Sequence, residues 1–328
     1  MAEAVTRFAR ALYDFEDDAL AQVEGALSGA LCRMPDPFGE CDAAGVRSVY
    51  EGLAQAWPDM ERRTYISISG DDEHGGTWVG EGGFYAGTFE APWLGIPATR
   101  RVAHMRFHEF FRVEDGRITE IQFAWDIPEV MMQANAWPLA PSLGREWCVP
   151  GPATCDGLGP HDATRSEASR QHIVDMLMCM KKHPAQGGPE LMELERFWHP
   201  KMAWYGPSGI GTGRGTAGFR RVHQIPFLKA MPDRGYAAGD IRYHFFAEGD
   251  YVGVTGWPNM LQTLTHPGWM GIAPPGKHVE MRSLDFWRLE GGLIRENWVL
   301  VDLIHLYSQI GVDVFERMRE YVDGGAPL

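Results

Sequence analysis

The sequence predicts an α+β protein built from two tandem domains. Three observations carry that expectation: a long internal repeat, helical patterns ahead of strand patterns in each half, and period-two alternation within the strand runs. The stretch WLGIPATRRV from Trp93 returns as WMGIAPPGKHV from Trp269, and RVEDGRITE from Arg112 returns as RLEGGLIRE from Arg288. Trp93 and Trp269, Arg112 and Arg288, Gly116 and Gly292, Glu120 and Glu296, and Asp126 and Asp302 all stand 176 positions apart. Earlier markers, Pro58-Asp59 with Pro232-Asp233 and Gly70-Asp71 with Gly249-Asp250, drift slightly, as loop insertions would make them. A period far beyond the ~20 to 50 residues of solenoids and propellers means whole domains. A length of 328 residues suits two of them.

In the first half, residues 4–30 and 43–57 place Phe8, Leu12 and Phe15, then Val46, Val49 and Leu53, at helical spacing, and Pro58-Asp59 closes the second run. Strand patterns follow at Thr64–Ser69, Gly76–Ala86, Val102–Val113 and Ile118–Trp125, divided by turns such as GDDEHGG and EDGR. The second half repeats this order, with helices near 165–183, 188–197 and 215–230 and strands near 240–247, 251–265, 278–289 and 293–301. Between the halves, Pro138 to Arg165 is rich in Pro and Gly and lacks periodicity, as a linker does. The expected division is a first domain over 1–140, a linker over 141–164 and a second domain over 165–328. Helices followed by an antiparallel sheet bury the sheet's inner face against the helices.

The net charge of −14 argues against a nucleic-acid partner, because such binding draws on Lys and Arg at the phosphates. It points instead to a neutral or mixed-polarity small molecule. The composition, 45% hydrophobic and 23% charged, suggests neither disorder nor a membrane partner. Acidic residues interrupt the N-terminal MAEAVTRFARALYDFEDDALA where a secretory signal needs an apolar core, so a cytoplasmic location is expected. Cys32, Cys41, Cys148, Cys155 and Cys179 show no CxxC spacing and read as reduced thiols, with no metal site and no cofactor expected.

The succession of PD, GD, TH-GWMGIAPPGK, FWRLEGGLIRENWVLVD and a terminal QIG at Gln309–Gly311 resembles the SnoaL-like polyketide cyclase family, within the nuclear transport factor 2-like superfamily. The resemblance covers roughly residues 185–311, and in looser form about 30–133, with FYAGTFEAPWLGIPATRR and FFRVEDGRITEIQFAWD. It implies a cone-shaped α+β barrel in each half, with a pocket between the curved sheet and the helices, and two halves joined as an intramolecular pseudo-dimer open to further self-association. It also implies a catalytic aspartate on the last strand, three residues before Asp126 or Asp302. Those positions hold Phe123 and Val299, so the family's usual ring closure lacks its carboxylate here.

Alternation offers a different carboxylate. One face of the strand from Val102 reads Met105, Phe107, Glu109, Phe111 and Val113, and the corresponding strand reads Met281, Ser283, Asp285, Trp287 and Leu289. A carboxylate among apolar side chains loses hydration, which favours its neutral form and suits a general base near pH 7. Asp285 is therefore the expected base, with Glu109 its counterpart; pairing with an Arg is the structural alternative for both.

The expected helpers are Asn297, His223, His266 and Asp302, although Asp126 and Asp302 also stand where helix caps belong. Tyr50 takes the place of His223 in the first half, and His305 lies one turn past Asp302. Tyr205, Trp257, Trp269, Trp287, Trp298 and Tyr85 are expected to ring a pocket for an aromatic, polycyclic or sugar-like carbonyl compound. The stretch Gly206–Gly215 has no βαβ context, so it reads as a pocket-edge loop rather than a dinucleotide site. Two function classes remain: a cofactor-independent lyase, isomerase or cyclase, and a binding or interaction protein that catalyses nothing. The second half, which keeps GIAPPGK, Asn297 and Trp298, is expected to be the working one.

Overall fold

The computed structural model describes residues 3–15, 18–184, 186–233, 241 and 243–324. In the first half, α1 (Glu3–Ala11) and α2 (Ala19–Ala26) lead to the short β1 (Leu31–Arg33) and β2 (Glu40–Cys41), followed by α3 (Ala43–Ala56). Then come β3 (Glu61–Asp71), β4 (Thr77–Thr88), β5 (Val102–Glu114), β6 (Arg117–Trp125) and α4 (Ile127–Gln133). Asp42 caps α3 by accepting from Gly45 N, and Asp126 caps α4 by accepting from Glu129 N. The expected helix over 4–30 is thus two helices, and residues 16 and 17 between them lie outside the described residues.

The second half has α5 (Ser166–Met180), α6 (Leu194–Phe197), β7 (Trp198–Tyr205) and β8 (Thr212–Arg214). A helical run follows, made of α7 (Gly215–Phe219), a π-turn over Arg220–Gln224 and α8 (Ile225–Ala230). The chain continues through β9 (His244–Glu248), β10 (Tyr251–Thr255), β11 (Met260–Thr263), β12 (His278–Met281), β13 (Ser283–Glu290) and β14 (Leu293–Val301), and ends in α9 (Leu303–Gln309) and α10 (Val314–Asp323). The strand expected to begin near 240 starts at His244; residues 240 and 242 lie outside the described residues. The pairs β1–β2 and β7–β8, and the helix α10, were not foreseen.

The fold is α+β, with two six-stranded sheets of corresponding order: β2-β1-β6-β5-β4-β3 and β8-β7-β14-β13-β10-β9. The halves differ in one way that shapes the site. In the first, β4 and β5 pair without interruption from Thr77↔Val113 to Thr88↔Val102. In the second, the expected continuous strand over 251–265 breaks at Gly256–Asn259, so β11 and β12 form a separate two-stranded ribbon. Pro258 has no N–H to give to a ladder. Asn259 replaces the lost bonds with its side chain, donating from Nδ2 to Ser283 O at 3.0 Å and to Ser283 Oγ at 2.8 Å, while its Oδ1 accepts from Ser283 N at 3.2 Å.

Each sheet turns one face to its helices and the other to the opposite sheet. Trp78, Phe110, Phe246, Phe286 and Trp298 fill the space between the sheets. Gly80 lets them approach, since a Cβ there would lie 2.9 Å from Phe246 Cζ and 3.0 Å from Phe286 Cε1. His108, fully buried in this layer, has Nδ1 2.6 Å from Leu284 O and its ring against Phe286.

Burial, followed by the nearby Arg106 charge, pushes the His108 pKa down to about 3. A depressed base stabilises the fold fully above its unfolded value, and that contribution is lost as pH falls from about 6.5 toward 3. Wild type is therefore expected to lose about 2 kcal/mol more than His108→Gln between pH 7 and pH 5, read from urea unfolding. Parallel pH dependence in the two proteins would contradict this assignment.

Candidate active site

The cavity of the second half is built by strand alternation. On β13, Ser283, Asp285 and Trp287 point toward the helices, while Leu284 and Phe286 point to the other sheet. On β14 the inward residues are Asn297, Val299 and Val301, and on β7 they are Trp198 and Trp204. Met281 and Met260 enter from the ribbon, Leu177 and Met180 from α5, and Trp269 from the loop after β11. Phe219, His223 and Phe227, four residues apart, form one stripe of the broken helix. Pro207 and Ile210 of the glycine-rich loop close the edge. The result is a mostly apolar cavity of about 80 Å³. At the ~10 to 15 Å³ that one water needs by this measure, it accommodates several waters.

Few polar groups face this space. Asp285 and His223 are both half-buried and line it. The His223 ring stacks on Trp204 with centroids 4.2 Å apart and planes 11° apart, which fixes its orientation. It sits on the π-turn, a local widening often found at functional sites. Asn297, fully buried, donates from Nδ2 to Phe286 O at 2.9 Å, and among the described residues its Oδ1 has no hydrogen-bond partner. Asn297 thus has a free acceptor at Oδ1, and its second Nδ2 hydrogen is not committed to Phe286 O. Two donors of the lining, the buried indole nitrogens of Trp198 and Trp287, have no hydrogen-bond partner among the described residues.

Several expected site residues lie elsewhere. Trp298 and Tyr205 face the other sheet: Trp298 Nε1 donates to Pro150 O at 2.9 Å, and Tyr205 OH donates to Glu296 at 3.0 Å. Neighbours on a strand take opposite faces, so Asn297 inward forces Trp298 outward. Trp257 sits at the strand break with the Arg282 guanidinium over its ring, outside the cavity lining. His266 is exposed on a loop beside Thr265. Asp302 caps α9 through His305 N and accepts from Asp36 N at 3.0 Å; burial raises its pKa to about 6. His305 sits between Asp36 and Glu280.

The first half shows what the same layout becomes when it is filled. Glu109 has no exposed surface. It accepts from Arg62 at 2.8 Å, Tyr85 OH at 2.8 Å, Trp125 Nε1 at 3.1 Å and Tyr50 OH at 3.3 Å. Arg62 also pairs with Glu81 at 2.8 Å. Glu109 and Tyr85 thus belong to one hydrogen-bonded network, and the cavity that Tyr85 lines is only about 10 Å³, room for a single water. The sequence could have hinted at this, since Arg62 follows the helix-closing Pro58-Asp59 at the start of an edge strand, but its partners are 19 and 47 residues away. Among the described residues, no group of three or more His, Cys, Asp and Glu is arranged to hold a metal, and no helix is long and apolar enough to cross a membrane.

The comparison with known families bears on the half that holds the cavity. Residues 189–310 match the SnoaL-like polyketide cyclase model. This segment is a SnoaL-like domain. Every β-strand of the second half lies inside it, as do His223, Asp285 and Asn297. Val299, where the family's aspartate is expected, lines the cavity, and Phe123 packs in the first-half core. No curated protein matches the chain.

Solved structures similar to it include wild-type IdmH, "a putative polyketide cyclase" from Streptomyces antibioticus, at 21% identity and TM-score 0.34 over 40% of this chain and 95% of that one. AclR, "a putative hydroxylase" from Streptomyces galilaeus, is similar at 17% identity and TM-score 0.36 over 42% and 82%. TsrD from Streptomyces laurentii is similar at 20% identity and TM-score 0.34 over 40% and 94%.

Proposed function

We propose that the SnoaL-like second half is a cofactor-independent acid–base enzyme of the lyase, isomerase or cyclase type. Its substrate is an aromatic, polycyclic or sugar-like carbonyl compound. The observation that carries this reading is the convergence of Asp285 and His223 on one apolar, aromatic-walled cavity. Asp285 removes a proton from the carbon next to the carbonyl. The charge that builds on the carbonyl oxygen is met by an indole N–H of Trp287 or Trp198, and His223 returns a proton to the enolate. With Val299 at the family's aspartate position, the base has moved from β14 to its partner strand, where Asp285 and Val299 are register neighbours.

We read the whole chain as a duplicated cone over 1–140 and 165–328, in which the first copy has exchanged its pocket for the Glu109 network. The constant sequence offset and the matching strand orders support this. Incubating the full chain with small aromatic and polycyclic ketones in D2O tests the chemistry. Deuterium is expected to appear at the carbon next to the carbonyl faster than in buffer, by NMR. Ligand binding without exchange across the panel would favour the non-catalytic binding reading instead.

A further inference from the structure

The glycine-rich loop that edges the second-half cavity is fixed from outside its own half. The parallel ladder of β7 and β14 ends at Tyr205↔Trp298, and there the buried Arg106 of β5 bridges the two strands. Its guanidinium donates to Gly206 O at 2.7 Å, to Val299 O at 3.3 Å and to Tyr205 O at 3.4 Å. Asp126, also buried and 3.2 Å from Arg106, accepts from Ser208 N through Oδ2 at 3.0 Å and Oδ1 at 3.3 Å. From the segment joining the halves, Glu146 accepts from Gly209 N at 3.0 Å, and Gly144 N donates to Ile210 O at 2.9 Å. Ile210 N and Gly211 N both donate to Pro207 O, which closes the turn but ties it to nothing else.

We propose that Arg106, Asp126 and Glu146 are positioning residues for the second-half site: they hold the loop where Pro207 and Ile210 wall the cavity, and so set how tightly a ligand is gripped. This rests on the second-half cavity being the place where the carbonyl compound binds. The first half, with its own pocket filled, thereby completes the site of the other. The clamp is one-sided. Arg282, the counterpart of Arg106 at the 176-residue offset, turns to Glu280, Asp302 and the Trp257 ring in its own half.

The loop needs such support because of its sequence. Gly209 and Gly211 take φ of +96° and +80°, and a backbone with that freedom loses much entropy when it is held in one shape. Outside bonds to Gly206, Ser208, Gly209 and Ile210 in succession leave it little room to move. The same clamp reaches the proposed base, since the Val299 carbonyl it holds belongs to the register neighbour of Asp285.

Two variants of the full chain test this. Asp126→Asn keeps an oxygen to cap α4 but removes the charge facing Arg106, and Glu146→Ala cuts the half-buried anchor at Gly209. Without ligand, amide hydrogen exchange by NMR is expected to quicken about threefold or more at Ser208 in Asp126→Asn and at Gly209 in Glu146→Ala, with β13 and β14 exchanging as in wild type. Titrated with acetophenone, both variants are expected to need about threefold or more ketone for half-saturation, while α-proton exchange at saturation stays within about twofold of wild type. That split marks a lost grip rather than lost chemistry. Unchanged loop exchange in a folded Asp126→Asn protein overturns the proposal, and so does a loosened loop with unchanged acetophenone affinity. If Asp126→Asn does not fold, the same two outcomes in Glu146→Ala decide. Acetophenone binding to wild type without α-proton exchange would remove the proposed chemistry, and the affinities and loop amides would still decide whether these residues position the site.

Discussion

Asp285→Asn is expected to fold as the wild type does and to lower α-proton exchange and turnover at least ~10²-fold, the loss typical of removing a general base. Asn preserves size and can stay in the same register, where Asp285 pairs with Val254 on one side and Val299 on the other. A one-residue slip to bring it out of the cavity would turn Arg282 and Arg288 inward, and Arg288 is fixed outward by Glu296 at 2.6 Å. The variant should still bind the ketone, because the aromatic walls are untouched. The comparison is made by single-turnover rates and by NMR titration on the same sample. Full activity in Asp285→Asn would remove Asp285 from the chemistry.

The second large effect lies in the first half and is one of stability. Arg62, 3% exposed, stands between Glu81 and Glu109, both at 2.8 Å, with its guanidinium 4.2 Å from the centre of the Phe107 ring. Arg62→Met leaves two carboxylates buried around an apolar side chain. The cost is expected to be about 3 to 5 kcal/mol, as for other buried pairs stripped of one partner. Burial already pushes the Glu81 pKa up even with Arg62 present. Adding Glu109→Gln should recover part of the loss, since one uncompensated charge is then removed. Urea unfolding at pH 7 checks both statements. A loss under about 1 kcal/mol for Arg62→Met would mean the network is not what holds this core together.

The contrast between Glu109 and Asp285 shows how far the sequence could be read. Alternation placed both side chains on the helix-facing side of their strands, because a pleated strand allows no other arrangement. It could not say which was neutralised, since Arg62 arrives from a strand far along the chain. Asn297 and Trp298 carry the opposite lesson: period two forbids adjacent residues from sharing a face, so placing both at the pocket was inconsistent with the pattern itself. The strand break at Pro258 was signalled by a proline inside a strand run, whereas Asn259 standing in for the ladder depends on Ser283 across the sheet. His223 was legible as the middle of the stripe Phe219, His223, Phe227. The π-turn beneath it depends on tertiary packing and leaves no local pattern.

The central claim is that the second-half cavity takes the ligand while its first-half counterpart is closed by its own side chains. Indole N–H resonances report on both places at once. Titrating the ¹⁵N-labelled chain with an aromatic ketone is expected to shift Trp198 and Trp287 and to leave Trp125, whose indole is bonded to Glu109, unmoved. Shifts at Trp125 with Trp198 and Trp287 unchanged would place the ligand in the first half and contradict the account.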